Sequence, residues 1–387
     1  MSRLLRHVDA RPRPERALIF NGPGVQVDPG TMEMFAGRWE HALGLSIRVA
    51  WAGSPGAAAT ELEAALEGID LVVVNPGTTD LVDAVPPETL AAVVGFSYPG
   101  LATARFDRGP LEDIAGRALD GYRWALKYLI ACCEWPFDIY RYGEERDQVA
   151  ELRLPEAPGP HPTVVIIHGG GWKALWRKDI MAPMAVELAR RGYATWNIDF
   201  RRLGCGGGWP ATFDDVAQAI DALGELVEPA GLDPDRVVIL GHSSGGQLAL
   251  WAAAPGNTRL RPAAVVSLAG LVDLVEGARR ELIGGENVVA KLLGGSPEEV
   301  PERYAAASPR SLLPIGVPQV LVQGLSDYIL DLVDQNRVYA REAATSGDTV
   351  RLIEIEGAEH LALIEPTSAG WPTVADSIQE AFQLAAT

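Results

Sequence analysis

The stretch VVILGHSSGGQLALWAAA, residues 237–254, runs from β-branched residues through a serine pair set among glycines into small, helix-forming residues. A short apolar run followed by this junction reads as a buried strand turning sharply into a helix. Within it, Gly241-His242-Ser243-Ser244-Gly245 satisfies G-x-S-x-G with Ser243 at its centre. That pattern suits a strained strand-to-helix turn, because strand and helix approach too closely there for larger side chains. The helix N-terminus beneath Ser243 favours negative charge developing at a reacting carbonyl. The plainer alternative is a glycine-rich turn with an incidental serine.

A serine nucleophile needs a base, and the chain has six histidines: His7, His41, His161, His168, His242 and His360. On this kind of elbow the acid and then the base come later in the chain. Only His360 follows Ser243, in EGAEHLAL just past the strand-like run VRLIEI, 350–355. The acid is expected past a strand between the two. QVLVQG (319–324) is such a strand, and Asp327 follows it in LSDYI, where a carboxylate can fix the imidazole tautomer. Asp273 in LAGLVDL is the runner-up, Asp331 and Asp334 on the following helix also compete, and Asp327 has an alternative use as a helix cap.

Another apolar run, VVII at 164–167, leads into HGGGW, His168 to Trp172. Three glycines leave backbone N–H groups free to converge on one oxygen. Gly170 and Gly171, with the N–H of Ser244, are therefore the candidate oxyanion donors. No G-x-G-x-x-G or G-x-x-x-x-G-K-[ST] stands here, so a dinucleotide or nucleoside-phosphate cradle is disfavoured. Trp172, Trp176, Trp209 and Tyr328 fall in the same loops and are candidates for an apolar acyl pocket.

Outward from these motifs, strands are expected at 193–200, 237–240 and 263–268, besides those already named. Helices are expected near 180–191, 212–227, 245–254 and 331–345, with a hairpin at 138–154. The proline-rich PEAPGPHPT, 155–163, reads as a surface loop. A first βαβ series precedes this: strands at 17–20, 45–51 and 70–74, a helix in TELEAALEG and another at about 111–131. The expected fold is α/β with two domains, 1–137 and 138–387.

With 387 residues and a net charge of −18, the chain is a poor partner for nucleic acid or an anionic membrane. Cys132, Cys133 and Cys205 do not form a disulfide framework, which points to a cytoplasmic setting. The opening MSRLLRHVDARPRPER lacks the apolar core of a secretory signal, and no apolar run has membrane-spanning length. No His/Cys/Asp cluster has metal-ligand spacing, so neither metal nor cofactor is expected.

Residues from about 138 to 385 resemble the α/β-hydrolase superfamily, in its HGGGW branch of carboxylesterases, feruloyl-esterase-like hydrolases and kynurenine formamidase-like enzymes. The matching motifs are HGGGW at 168–172, DFRRLG at 199–204, GGGWPATFDDV at 206–216, GHSSGG at 241–246, QGLSDY at 323–328 and GAEH at 357–360. The resemblance implies a mostly parallel sheet with helices on both faces, and a triad of Ser243, Asp327 and His360. Gln323 departs from it, standing where many relatives carry histidine, with no expected effect on the triad.

Residues 17–131 resemble type II 3-dehydroquinate dehydratase, through IFNGPG at 19–24, VVVNPGTTD at 72–80 and ALDGYRWALKYL at 118–129. This resemblance implies a flavodoxin-like parallel sheet and assembly into homo-oligomers. Phe35 replaces the family's catalytic tyrosine, and TTDLVDAV and AAVVGFSYPG lack its histidines, so dehydration chemistry is not expected. The function expected is hydrolysis of a small or medium ester, lactone or amide through an acyl-enzyme on Ser243. The alternatives are a non-catalytic ligand binder on the same fold and a bifunctional dehydratase–hydrolase.

Overall fold

The computed structural model describes residues 3–386, excepting 77–80, 82–84, 86–88, 96–111, 116, 282–286 and 330. The chain divides into two compact units, one of Val8–Pro136 and one of Phe137–Thr387 together with the residues up to His7. The opening strand β1 (Arg3–Val8), which the sequence pattern does not disclose, belongs to the sheet of the larger unit.

In the smaller unit, β2 (Arg16–Asn21), β3 (Ser46–Trp51), β4 (Leu71–Asn75), β5 (Leu90–Gly95) and β6 (Glu112–Ala115) form a parallel sheet in the order β3-β2-β4-β5-β6. The first strand is central, the second lies to one side and the rest to the other, as in flavodoxin-like folds. LIF of β2 and LVVV of β4 are fully buried, as a doubly covered parallel sheet requires. Helices Pro29–Leu43 and Ala58–Ala65 follow β2 and β3, and Ala118–Glu134 closes the unit. The expected helix at 111–131 is corrected at its start. LEDIA has helical spacing, yet Ile114 pairs alongside Val94 as part of the fifth strand, and the helix begins at Ala118.

The larger unit is built on a nine-stranded sheet, ordered β1-β7-β8-β10-β9-β11-β12-β13-β14. Here β7 (Phe137–Arg141) and β8 (Val149–Arg153) form an antiparallel hairpin, and β8 runs antiparallel to β10 (Ala194–Ile198). From β10 onward the strands are parallel: β9 (His161–Ile167), β11 (Leu232–His242), β12 (Ala264–Leu268), β13 (Gln319–Gly324) and β14 (Val350–Ile355). The proline-rich loop is shorter than expected, since β9 already begins at His161. This is the α/β-hydrolase fold, with the helices Ala182–Arg190, Ala211–Leu223, Asp331–Thr345 and Trp371–Ala385 among its connections. The Ser244–Ala253 helix is buried at every residue, which explains its all-round small and apolar composition. Among the described residues no helix is long and apolar enough to cross a membrane.

Candidate active site

In the larger sheet the chain leaves β9 toward β10 on one side and returns to β11 on the other. Such a reversal opens a crevice at the carboxyl ends of the two strands, where ligands of open α/β sheets bind. HGGGW follows β9 and Ser243 follows β11, so the two glycine-rich motifs meet at this point.

Ser243 has φ 55° and ψ −121°, a conformation that L residues rarely adopt. The glycines around it have no room for a side chain. A Cβ at Gly241 would sit 1.9 Å from the carbonyl oxygen of Gly245, and one at Gly245 would sit 2.2 Å from that of Ile167. The turn is pinned by the Ser243 N–H, which donates to Leu268 O at 2.8 Å.

Residues 170–172 all have positive φ, at 114°, 62° and 55°, so the HGGGW backbone turns away from the strand. A neighbouring loop braces it: Leu203 N–H donates to Trp172 O at 2.8 Å and Ala174 N–H to Leu203 O at 3.0 Å. That neighbour is the DFRRLG segment, itself fixed by buried charges. Asp199 accepts from Arg177 Nε at 2.8 Å and from Arg202, which also binds Asp147 at 2.9 Å. Burial alone would raise the Asp199 carboxyl, but Arg202 and Arg177 hold it well below the usual range. The His168 ring nitrogens lie 2.7 Å from Gly169 O and 3.1 Å from Asp199 Oδ1, coupling the ionic cluster to the glycine loop. Among the described residues, the N–H groups of Gly170, Gly171 and Ser244 have no acceptor.

His360 and Asp327 are brought together. His360 Nδ1 lies 2.7 Å from Asp327 Oδ2, with both side chains buried. The other carboxylate oxygen accepts from Ile329 N–H at 2.9 Å. Asp273, the runner-up, is engaged elsewhere: it caps the Leu274–Arg279 helix through Val275 and Glu276 N–H and pairs with Arg310 at 2.7 Å. Asp331 pairs with Arg280 and Asp334 with Arg337. No hydrogen bond joins Ser243 Oγ to His360, so that link is open.

Two supporting residues escaped the sequence reading. His242, next to the serine, has its ring centroid 4.6 Å from that of His360 and donates from Nε2 to the His360 carbonyl at 3.0 Å. Burial, and then the neighbouring His360, push its pKa well below the ordinary histidine value, so it acts as a neutral anchor for the His360 loop. Gln323, noted as a departure without consequence, donates from Nε2 to Asp327 Oδ2 at 3.2 Å. Its place one residue before Gly324 was the available signal.

The aromatic candidates separate. Tyr328 is 69% exposed and meets His360 edge to face at 5.3 Å. Half-buried Trp209 packs on Phe213, which packs on Trp251, each at 5.0 Å. Trp172 corrects the expectation of a pocket wall. Its side chain is fully buried, and the indole N–H donates to Gln247 Oε1 at 3.1 Å, tying the glycine loop to the elbow helix. Trp176 covers Gly170, where a Cβ would lie 2.2 Å from its own. Among the described residues no group of His, Cys, Asp and Glu is arranged to hold a metal ion.

Residues 151–340 match the BD-FAE family model. The chain is 30% identical over 182 residues to the non-reducing polyketide synthase stbA of Stachybotrys bisbyi, covering 44% of this chain and only 8% of that protein. It is 24% identical over 303 residues to the isoprenylcysteine alpha-carbonyl methylesterase ICME of Arabidopsis thaliana, covering 67% of this chain and 69% of the relative. A truncated carbohydrate esterase from gut microbiota superposes with TM-score 0.56 at 20% identity, over 64% of this chain and 95% of that one, a likeness of fold. The larger unit is thus similar in sequence to BD-FAE proteins and esterases, and shares its fold with solved esterases. The dehydroquinase-like resemblance of residues 17–131 gains no support from them.

Proposed function

We propose that the protein is a serine hydrolase that cleaves a small or medium ester, lactone or amide through an acyl-enzyme on Ser243. Relatives named as esterases support ester hydrolysis at the level of the family. The observation that carries the finer reading is the buried 2.7 Å contact between His360 Nδ1 and Asp327 Oδ2, at the crevice where the strained serine stands.

In this reading His360 Nε2 takes the Ser243 proton as Oγ attacks the carbonyl carbon, and Asp327 holds the imidazolium that results. The oxyanion enters among the N–H groups of Gly170, Gly171 and Ser244, which meet no acceptor among the described residues; each such donor is worth about 10²- to 10³-fold in kcat. His360 then protonates the leaving group. Water, deprotonated by the same imidazole, releases the acid and restores the serine. Tyr328, exposed against His360, borders the leaving-group side, and Trp209 is the remaining candidate for the acyl side. The smaller unit is proposed as a non-catalytic companion domain. Its Phe35, packed 5.8 Å from Trp39, carries no group able to move a proton.

One observation favours a second reading, a ligand binder that does not turn over: the Ser243–His360 contact is open. A fluorophosphonate probe separates the two. Stoichiometric labelling of the wild type that vanishes in Ser243→Ala, together with p-nitrophenyl ester hydrolysis lost in parallel, is the result expected. Absence of labelling in folded wild-type protein would favour the binder.

A further inference from the structure

Behind the acid of the proposed triad lies a chain of side-chain amides whose polarity is set from outside the site. Asn336, on the Asp331–Thr345 helix, is 1% exposed, and its Nδ2 faces the carbonyl oxygens of Gly270 at 3.0 Å and Leu332 at 2.9 Å. Two backbone acceptors can be met only by an amino group, so the Asn336 amide cannot be reversed. The same Nδ2 lies 3.2 Å from Gln323 Oε1, which fixes the second amide in turn. Gln323 is fully buried, and its Nε2 is left facing Gly324 O at 3.0 Å and Asp327 Oδ2 at 3.2 Å. The carboxylate oxygen that Gln323 reaches is the one that binds His360.

We infer that Gln323, locked by Asn336, is the positioning residue of Asp327 and sets how strongly that carboxylate holds the His360 imidazolium. The inference rests on the serine-hydrolase reading above. Three donors converge on Asp327: Ile329 N–H on Oδ1, and His360 Nδ1 and Gln323 Nε2 on Oδ2. A buried carboxylate sharing its charge with an additional donor is a weaker partner for any single one of them. Gln323 thus prevents Asp327 from turning away from His360 and moderates the pull it exerts. Other polar and charged groups also face the pair. They are the His242 ring, the Tyr328 hydroxyl-bearing ring and the His360 backbone carbonyl that His242 holds; none of these donates to Asp327 Oδ2. Among the described residues, the side-chain donor to that oxygen besides His360 is therefore Gln323.

Gln323→Met, close in size and without a donor, is the direct test on the full-length enzyme with a p-nitrophenyl ester. We expect kcat lowered about tenfold with KM within about twofold, the range of one hydrogen bond to a charged group. The acid limb of the kcat/KM profile should move to higher pH by roughly half a unit, because the imidazolium is held more strongly once the competing donor is gone. Gln323→His, which restores one N–H at this position, should return both kcat and the limb toward wild type. Should Gln323→Met not fold, Gln323→Glu carries the test, with the limb displaced the same way and further. The inference is overturned if kcat stays within twofold and the limb stays in place. It is equally overturned if kcat falls together with thermal stability while the limb does not move. Failure of the underlying reading looks different, since wild-type protein would then show no Ser243-dependent labelling at all.

Discussion

The two sheets of this chain, one parallel and one mostly parallel, present the same topological feature and carry different residues on it. In the larger sheet the strand order reverses between β9 and β11; in the smaller it reverses between β2 and β4. At the first reversal stand a serine of forbidden geometry for most residues and a loop whose Gly170 and Gly171 N–H groups meet no acceptor among the described residues, with a carboxylate–imidazole pair beyond β13 and β14. At the second stand Asn21 and Asn75, the last residues of their strands, with the Tyr122 hydroxyl between them. That hydroxyl donates to Asn21 Oδ1 and accepts from Asn75 Nδ2, each at 2.6 Å, and burial pushes its pKa up to about 12. The phenol is held between the two amides, and none of the three exchanges a proton near neutrality. A crevice is a consequence of strand order, whereas chemistry requires titratable groups held in strain or left with an open valence.

The largest effect that sharpens this contrast lies at the acid. Asp327→Asn keeps the shape of the side chain but presents His360 with an amide, which destroys the preference for the reactive tautomer. We expect kcat for ester hydrolysis to fall about 10³- to 10⁴-fold with the protein still folded. Equal activity of Asp327→Asn and wild type would remove the larger sheet's claim to a charged triad and leave the two crevices chemically alike.

A second difference concerns acid stability. The larger unit buries carboxylates beside cations: Glu151 lies 2.7 Å from Lys178 and 2.8 Å from Arg153. Burial alone would raise the Glu151 carboxyl, but Lys178 and then Arg153 bring it down to about 2. A folded pKa below the unfolded one means that the unfolded chain binds the proton first. The stabilisation is therefore full above the ordinary glutamate range and drains away as pH falls toward 2. Asp199, depressed by Arg202 and Arg177, adds in the same direction. In the smaller unit the buried amide and charged side chains among the described residues are Asn21, Asn75 and Arg117, with no carboxylate. On acidification below about pH 4, pepsin should release peptides from 137–387 before those from 8–136. The reverse order would show that these ion pairs do not govern acid opening.

Much of the fold was legible because parallel strands buried on both faces read as unbroken apolar runs. VVII, VVIL and QVLVQG became the cores of β9, β11 and β13. Glycine made the site legible for a steric reason, since Gly241 and Gly245 stand where any Cβ collides with backbone. What remained hidden has equally physical causes. The strand β1, RLLRHV, is mostly exposed and carries no buried face to betray it. The start of the 111–131 segment has helical spacing but is claimed by the sheet edge beside β5. Gln323 gains its role from Asn336, thirteen residues on and in a different element, and local sequence carries no trace of that hydrogen bond. Trp172 looked like a pocket residue because it adjoins the candidate oxyanion glycines, yet at its positive φ the indole reaches Gln247.

The smallest expected effect tests the quiet crevice. Tyr122→Phe deletes the hydroxyl that joins Asn21 to Asn75 while preserving the buried ring, stacked 6.4 Å from Trp39. Asn21 Nδ2 already lacks a partner among the described residues, so the substitution leaves the Asn21 amide with no side-chain hydrogen bond at all. Stranding buried polar groups in this way costs about 1–3 kcal/mol. Urea unfolding followed by circular dichroism should therefore show a lowered midpoint. Below that transition, p-nitrophenyl ester hydrolysis should stay within about twofold of wild type, because nothing at the second reversal moves a proton. A drop in kcat beyond tenfold in the folded Tyr122→Phe protein would break the comparison. It would mean that the polar cluster of the smaller sheet contributes to turnover after all.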